Sequence, residues 1–288
     1  MTGAGGLLGG RLAALLARRH AVLAGVHAAP APEDLETIPL DLERPASLES
    51  ALERAEPDAV LHCAALADAD RCQADPDLAM ELNLRATERL ARLCAGRRLR
   101  LVALSTDMVL DGEGPFSSEA HAAKPILVYG LTKVRAEAAV LGSAEDAVVV
   151  RVALVHGRGH GPRRTASEAI LQALRAGRRL RLFTDQYRTP VDPESVADVL
   201  ERILERTTAG LFHAGGPERV SRYELGLRVA ALFGLPTDLI DPVMQSTLRL
   251  GAVRPADVSL DSSRARRELG WTPRPLDEGV RESRADGG

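Results

Sequence analysis

Lysine is almost missing from this chain of 288 residues. Only Lys124 and Lys133 contribute to the Lys+Arg total of 37, and all the other members are arginine. Aromatic residues are only 3% of the sequence, so Ala, Leu and Val must fill whatever core forms. The cysteines are three, an odd number, with no Cys-x-x-Cys. Cys63, Cys72 and Cys94 exclude a disulfide framework and read as small core residues of a protein from a reducing compartment. No uninterrupted apolar run reaches membrane-spanning length, and Arg18-Arg19 closes the first. No signal-peptide pattern appears, which leads to the expectation of a soluble, cytoplasmic protein with no membrane contact. The formal charge of −3 and a pI near 6.2 argue against a general nucleic-acid binder. A metal site is not expected either. His156 and His160 are four apart, but Gly157, Gly159 and Gly161 disfavour the helix that would bring them together.

What is present is 45% hydrophobic residues, enough for a sizeable core, arranged as alternating strand and helix patterns. Leu8, Leu12, Leu15 and Leu16 recur at helical spacing, and short apolar runs follow at 21–26, 37–40 and 59–64. A long helix carries Ala79, Leu82, Ala86, Leu90 and Leu93 on one face. A strand over 99–104 runs into Ser105-Thr106-Asp107, a helix is expected over 127–141, and the β-branched run 148–155 reads as a strand covered on both faces. This alternation predicts an α/β fold, a Rossmann-type doubly wound parallel sheet. Beyond Gly157 the pattern loosens into a smaller α/β lobe. There Asp192-Pro193 should start one helix, and the capping box from Ser221 to Glu224 another. The expected division is residues 1–156 for a dinucleotide-binding domain. Residues 157–288 should form mainly a substrate lobe that returns in part to the first.

Gly3, Gly6 and Gly9 stand ahead of the first helix. Glycines so placed allow a tight turn, a close approach to a pyrophosphate, and tight helix packing, with the phosphates at the helix N-terminus beside Leu7 and Leu8. Only Met1 and Thr2 precede Gly3, so the first strand looks truncated, and the expectation is that the true start lies several residues upstream. The 21–26 strand ends Val26-His27-Ala28-Ala29 with no carboxylate to hold a ribose diol, which favours NADPH over NADH. Asp41-Leu42 could reach the adenine, and Ala64-Ala65-Leu66 offers a path for the cofactor.

Tyr129 precedes Lys133 by four residues, one helical turn, so phenol and ammonium share a face. A neighbouring cation lowers a tyrosine's pKa, and the pair is expected to donate a proton to a carbonyl oxygen.

Together these residues resemble the extended short-chain dehydrogenase/reductases, and most closely the dTDP-4-dehydrorhamnose reductase family. The likeness runs from Thr2-Gly3 through Pro57-Asp58 and Ala64-Ala65 to the segment 105–112. It continues through Glu119, Pro125, Tyr129, Lys133, Glu137, Arg151 and Asp185-Gln186, and on to Arg254-Pro255 and Leu269-Gly270. It implies NAD(P)H-dependent reduction of a nucleotide-linked 4-keto-6-deoxy sugar, with Thr106, Tyr129 and Lys133 catalytic. Thr106, Asp107 and Leu154 would lie against the sugar, and a homodimer is a compatible assembly. Three positions depart from the family pattern. Met108 stands for an aromatic, Leu154 for a tryptophan and Leu66 for a polar residue. Two other readings stay open: a sugar-nucleotide epimerase or dehydratase, and a non-catalytic cofactor-binding subunit like the regulatory partner of methionine adenosyltransferase.

Overall fold

The computed structural model describes residues 1–248 and 253–283. Its spine is a parallel sheet. The N-terminal elements are α1 (Leu7–Leu16), β1 (Ala24–Val26), β2 (Thr37–Pro39), α2 (Pro45–Ala55) and β3 (Ala59–His62). They are followed by α3 (Ala69–Ala74), α4 (Pro76–Met80), a π-helical turn (Glu81–Arg85), α5 (Ala86–Arg97) and β4 (Arg100–Thr106). The half closes with α6 (Val128–Leu141) and β5 (Val148–Val152). Beyond it come α7 (Ala166–Arg175), β6 (Leu180–Phe183), β7 (Tyr187–Arg188), α8 (Pro193–Leu204) and β8 (Gly210–Ala214). The last elements among the described residues are β9 (Val220–Ser221), α9 (Arg222–Phe233), β10 (Ile240–Val243), α10 (Ser263–Leu269) and α11 (Leu276–Arg281).

Strands β3, β4, β5 and β8 pair in that order, all parallel. β1 and β2 form a second parallel pair. Thr2 joins the two, bridging Gly25 on one side and His62 on the other. The Thr2 N–H donates to the Leu61 carbonyl at 2.9 Å, and the Gly25 N–H donates to the Met1 carbonyl at 2.7 Å. The central position of a doubly wound sheet is therefore occupied, by a single bridging residue on each side. The Thr2 hydroxyl also accepts from the N–H groups of Cys63 and Ala64, both at 3.2 Å. That contact fixes the end of β3 against the glycine turn.

The run Val148–Val152 shows why the sheet is covered on both faces. Successive side chains of a strand alternate. Val148, Val150 and Val152 pack with Leu12 of α1, Val199 and Ile203 of α8, Phe212 and Trp271. Val149 turns the other way, onto Leu48, Leu90, Cys94 and Val140 from α2, α5 and α6. A separate cluster built on α7, α9, α11 and β10 forms the core of the C-terminal lobe. β8 belongs to the same half of the sequence yet completes the main sheet.

Several expected elements shift. The single long helix through Leu93 is three consecutive pieces, with the π turn lodging Asn83 fully buried between them. The β-branched strand stops at Val152 rather than continuing to 155. α3 and α11, each only six residues long, have no counterpart in the periodicity. The expected starts near Asp192 and Ser221 are present. The Asp192 side chain accepts from the Ser195 N–H, and Ser221 and Glu224 cap each other reciprocally.

Gly9, in the first turn of α1, is packed directly against the glycine turn. A Cβ there would lie 2.2 Å from the Gly3 carbonyl oxygen, a backbone atom that cannot step aside alone. Gly9→Ala is expected to lower stability by about 1–3 kcal/mol, the range for overpacking. Denaturant unfolding checks this, and an unchanged midpoint would contradict the packing described.

Candidate active site

Four strand ends and two helix starts converge at the carboxyl edge of the sheet. At one side the glycine turn passes under α1. Gly3 has φ +72°, and a Cβ on it would fall 2.7 Å from the Ala64 nitrogen, so the turn is pressed onto the end of β3. Gly6 is the N-cap of α1 and contributes no side chain to its first turn. The amides that open that helix, from Leu7 onward, carry the partial positive charge of a helix N-terminus. This cradle, uncapped and free of side chains, suits a dinucleotide pyrophosphate.

His27, just past β1, stands exposed 3.9 Å from Asp41 at the end of β2, and Arg44 lies 3.3 Å from the same carboxylate. Leu42 is buried in the cluster with Ile38 and Leu48. Leu66 is likewise buried, with Cys72 and Ala79, in a cluster that Tyr129 packs against. Ala64 and Ala65 follow β3 beside the glycine turn. The structure thus gathers Gly3, Gly6, Leu7, Leu8, Gly9, Ala64 and Ala65 at one place. His27 and Asp41 form a separate, more exposed group.

At the other side β4 ends at Thr106. Its hydroxyl accepts from the Met108 N–H at 3.2 Å and donates to Asp107 Oδ1 at 3.2 Å. Tyr129 and Lys133 project from the first turns of α6. The Lys133 ammonium is buried and donates to the Leu104 carbonyl at 2.8 Å. Desolvation lowers its pKa from 10.5 to about 8, with Glu137 and Cys63 opposing. Tyr129 is only partly buried as a residue, yet desolvation raises its phenol above the ordinary value. The Thr106 side chain, offering a hydrogen bond, opposes the rise, while Asp107 and Cys72 add to it. The expected acidified phenol is thus not found. The ammonium is committed to a strand carbonyl, and burial outweighs the cation one turn away.

Asn83, in the π turn, was not singled out from the sequence. Its side chain accepts from the Leu66 N–H at 2.7 Å and donates to the Leu66 carbonyl at 3.0 Å and to the Thr132 hydroxyl at 3.1 Å. Thr132 in turn donates to the Tyr129 carbonyl at 2.7 Å. One buried amide therefore ties the loop after β3 to the start of α6. The only sequence signal was a polar residue in an apolar stripe.

Between the sheet edge and the C-terminal lobe lies a cleft of about 570 Å³. Thr106, Asp107, Met108, Tyr129 and Leu154 line one side, so the two substituted positions Met108 and Leu154 do face it. Gln186, Arg188 and Arg222 line the other. Arg188 Nε sits 3.8 Å from Asp107 Oδ2. Burial pushes the Asp107 carboxyl up, with Arg188 opposing. Among the described residues no group of three His, Cys, Asp or Glu side chains could hold a metal ion, and no helix is long and apolar enough to cross a membrane.

Residues 1–286 match the family described as RmlD substrate binding domain. The chain belongs to the RmlD family. It is 31% identical to a probable low-salt glycan biosynthesis reductase, Agl14, of Haloferax volcanii, over 96% of this chain and 94% of that protein. It is also 31% identical to methionine adenosyltransferase 2 subunit beta of Mus musculus, over 79% of this chain and 70% of that protein. Among solved structures it resembles a hypothetical dTDP-4-dehydrorhamnose reductase from Sulfolobus tokodaii. The TM-score is 0.86 at 30% identity, covering 96% of this chain and 97% of that one. MoeE5 in complex with UDP-glucuronic acid and NAD gives a TM-score of 0.84 at 26% identity, covering 98% and 96%. This RmlD-family chain thus has an α/β fold built on a parallel sheet, as do the sugar-nucleotide enzymes around it.

The Lys133 shift has a consequence for stability. Below pH 8 folded and unfolded chains both hold the proton, so the cost of burying the charge is fully present. Between about 8 and 10.5 the folded chain sheds the proton first and the unfolded chain holds more protons, so this group makes stability rise with pH. The unfolding free energy of the native chain relative to Lys133→Met is expected to increase across that window. A difference that stays flat from pH 7 to 10 would contradict the buried, depressed ammonium.

Proposed function

We propose that this protein reduces the keto group of a nucleotide-linked 4-keto-6-deoxy sugar with NADPH. The observation that supports this most is Thr106, Tyr129 and Lys133 meeting at the sheet's carboxyl edge, beside both the glycine turn and the cleft. The glycine cradle and the open N-terminus of α1 would hold the pyrophosphate. The bound nicotinamide would supply hydride. NADPH is favoured over NADH because no carboxylate stands at residues 27–29.

Tyr129 is the proton donor in this reading. A phenol raised by burial is fully protonated at neutral pH, which is the form a reduction needs. Thr106 shares the carbonyl oxygen as a second hydroxyl. Lys133, held by Leu104, presents a positive charge under the site that would offset negative charge developing on Tyr129 as its proton leaves. Asp107, held beside Arg188, would accept a sugar hydroxyl.

The relationship to methionine adenosyltransferase 2 subunit beta favours a second reading, a cofactor-binding subunit without turnover. One assay separates the two. Purified protein mixed with NADPH and a dTDP-4-keto-6-deoxyhexose is expected to consume NADPH. Tyr129→Phe should lower kcat about 10²- to 10⁴-fold, the usual worth of a general acid, while leaving NADPH affinity unchanged. NADPH binding with no consumption of any dTDP- or UDP-linked keto sugar would sink the reductase reading and favour the subunit.

A further inference from the structure

The arginines of the cleft do not balance. Arg181, Arg188, Arg222 and Arg254 line it, against Asp70 and Asp107. Arg254 pairs with Asp70 at 2.8 Å, and Arg188 is the neighbour of Asp107. Arg181 lies at the exposed rim. Arg222 is different. It is half-buried at the start of α9, and among the described residues its guanidinium has no hydrogen-bond or ion-pair partner. Beside it, Gln186 is 5% exposed, and its side-chain Nε2 is buried without an acceptor.

The fold brings these donors together by a two-residue ladder. β7 and β9 run antiparallel, with Arg188 opposite Val220 and Tyr187 opposite Ser221. The Arg222 N–H donates to the Gln186 carbonyl at 3.0 Å. Residues more than thirty positions apart thus form one wall, facing Thr106 and Tyr129 across the cleft. Withdrawing an arginine from water beside a second arginine is costly unless an anion compensates. Desolvation, with Arg188 adding and Asp107 opposing only in part, draws the Arg222 pKa down to about 10. A guanidinium fork and an adjacent amide match the two oxygens of a carboxylate or phosphate.

We propose that Arg222 and Gln186 form an oxyanion subsite that binds a negatively charged group of the substrate next to the reacting sugar; Arg188, whose N–H groups are held by the Tyr187 and Pro255 carbonyls, adds positive charge behind it and no free donor. This rests on the reading of the cleft as a nucleotide-sugar site. The group is either the phosphate joined to the sugar or a carboxylate carried on the sugar itself. The shared chemistry is a planar or tetrahedral oxyanion that takes two parallel N–H donors.

Calorimetric titration of the full chain saturated with NADP⁺ tests it, using thymidine, dTDP, UDP-glucose and UDP-glucuronate as probes. Arg222→Met is expected to weaken oxyanion binding about 10- to 100-fold, the worth of a charged hydrogen-bond pair. Affinity for NADP⁺ should be unchanged. A loss shared by dTDP and UDP-glucose but not thymidine assigns the subsite to phosphate. A loss confined to UDP-glucuronate assigns it to a sugar carboxylate. Arg222→Lys, which keeps the charge without the fork, and Gln186→Leu should each give a smaller loss with the same probe pattern, and they stand in if Arg222→Met does not fold. Affinities within twofold of the native chain for every probe, or no binding of any probe by the native chain, would overturn the subsite. Arg222-dependent binding without turnover of a keto sugar would leave the subsite standing and remove only the reductase reading.

Discussion

The hydrogen bond from the Lys133 ammonium to the Leu104 carbonyl ties α6 to the last turn-free stretch of β4, and the site depends on that tie. Thr106 lies two residues beyond Leu104 on the strand, and Tyr129 one turn before Lys133 on the helix. One contact therefore sets both hydroxyls. The next turn of the same helix face repeats the device. Glu137 pairs with Arg151 of β5 at 2.7 Å and accepts from Ser105 of β4, all of it buried. A buried ion pair contributes little net stability once desolvation is counted. Its effect here is orientation, because three elements can satisfy these charges in only one arrangement.

The electrostatics of the site follow from withdrawal from water more than from pairing. The same burial that raises the phenol lowers the ammonium, and Asp107 is raised as well. A neutral donor above a cationic base of support is consistent with reduction, where the proton must be present before the reaction starts. On the opposite wall the surplus is cationic. The cleft therefore combines a neutral acid with a positive rim, which suits an anionic substrate whose reacting group is uncharged.

Local patterns made much of this readable in the sequence. The glycine spacing before α1, the alternation of strand and helix, and the four-residue offset of Tyr129 and Lys133 depend on neighbours in the chain, and each has its counterpart in the structure. The family resemblance extended the reading to Thr106 and Asp107. What escaped was non-local. Lys133 shares a helical face with Tyr129, but the direction of its ammonium was decided by a carbonyl on β4, twenty-nine residues away. Asn83 was hidden because its partners, the Leu66 backbone and Thr132, lie far along the chain, and the π turn that holds it leaves no period of its own. Arg188 and Arg222 were invisible as partners because β7 and β9 are two residues each, too short to leave a period. Leu42 and Leu66 sat at strand ends, and both side chains went into core clusters.

In the proposed reaction the cleft would present a keto sugar to a proton donor and to a bound nicotinamide at once. The most direct measurement uses cofactor deuterated at the transferable position of the nicotinamide, followed by mass spectrometry of the sugar product. One deuterium is expected on the former carbonyl carbon of the sugar, with the labelled product forming about 10²- to 10⁴-fold more slowly with Tyr129→Phe. A reduced sugar without the label, or label transfer that persists undiminished in Tyr129→Phe, would contradict that reaction.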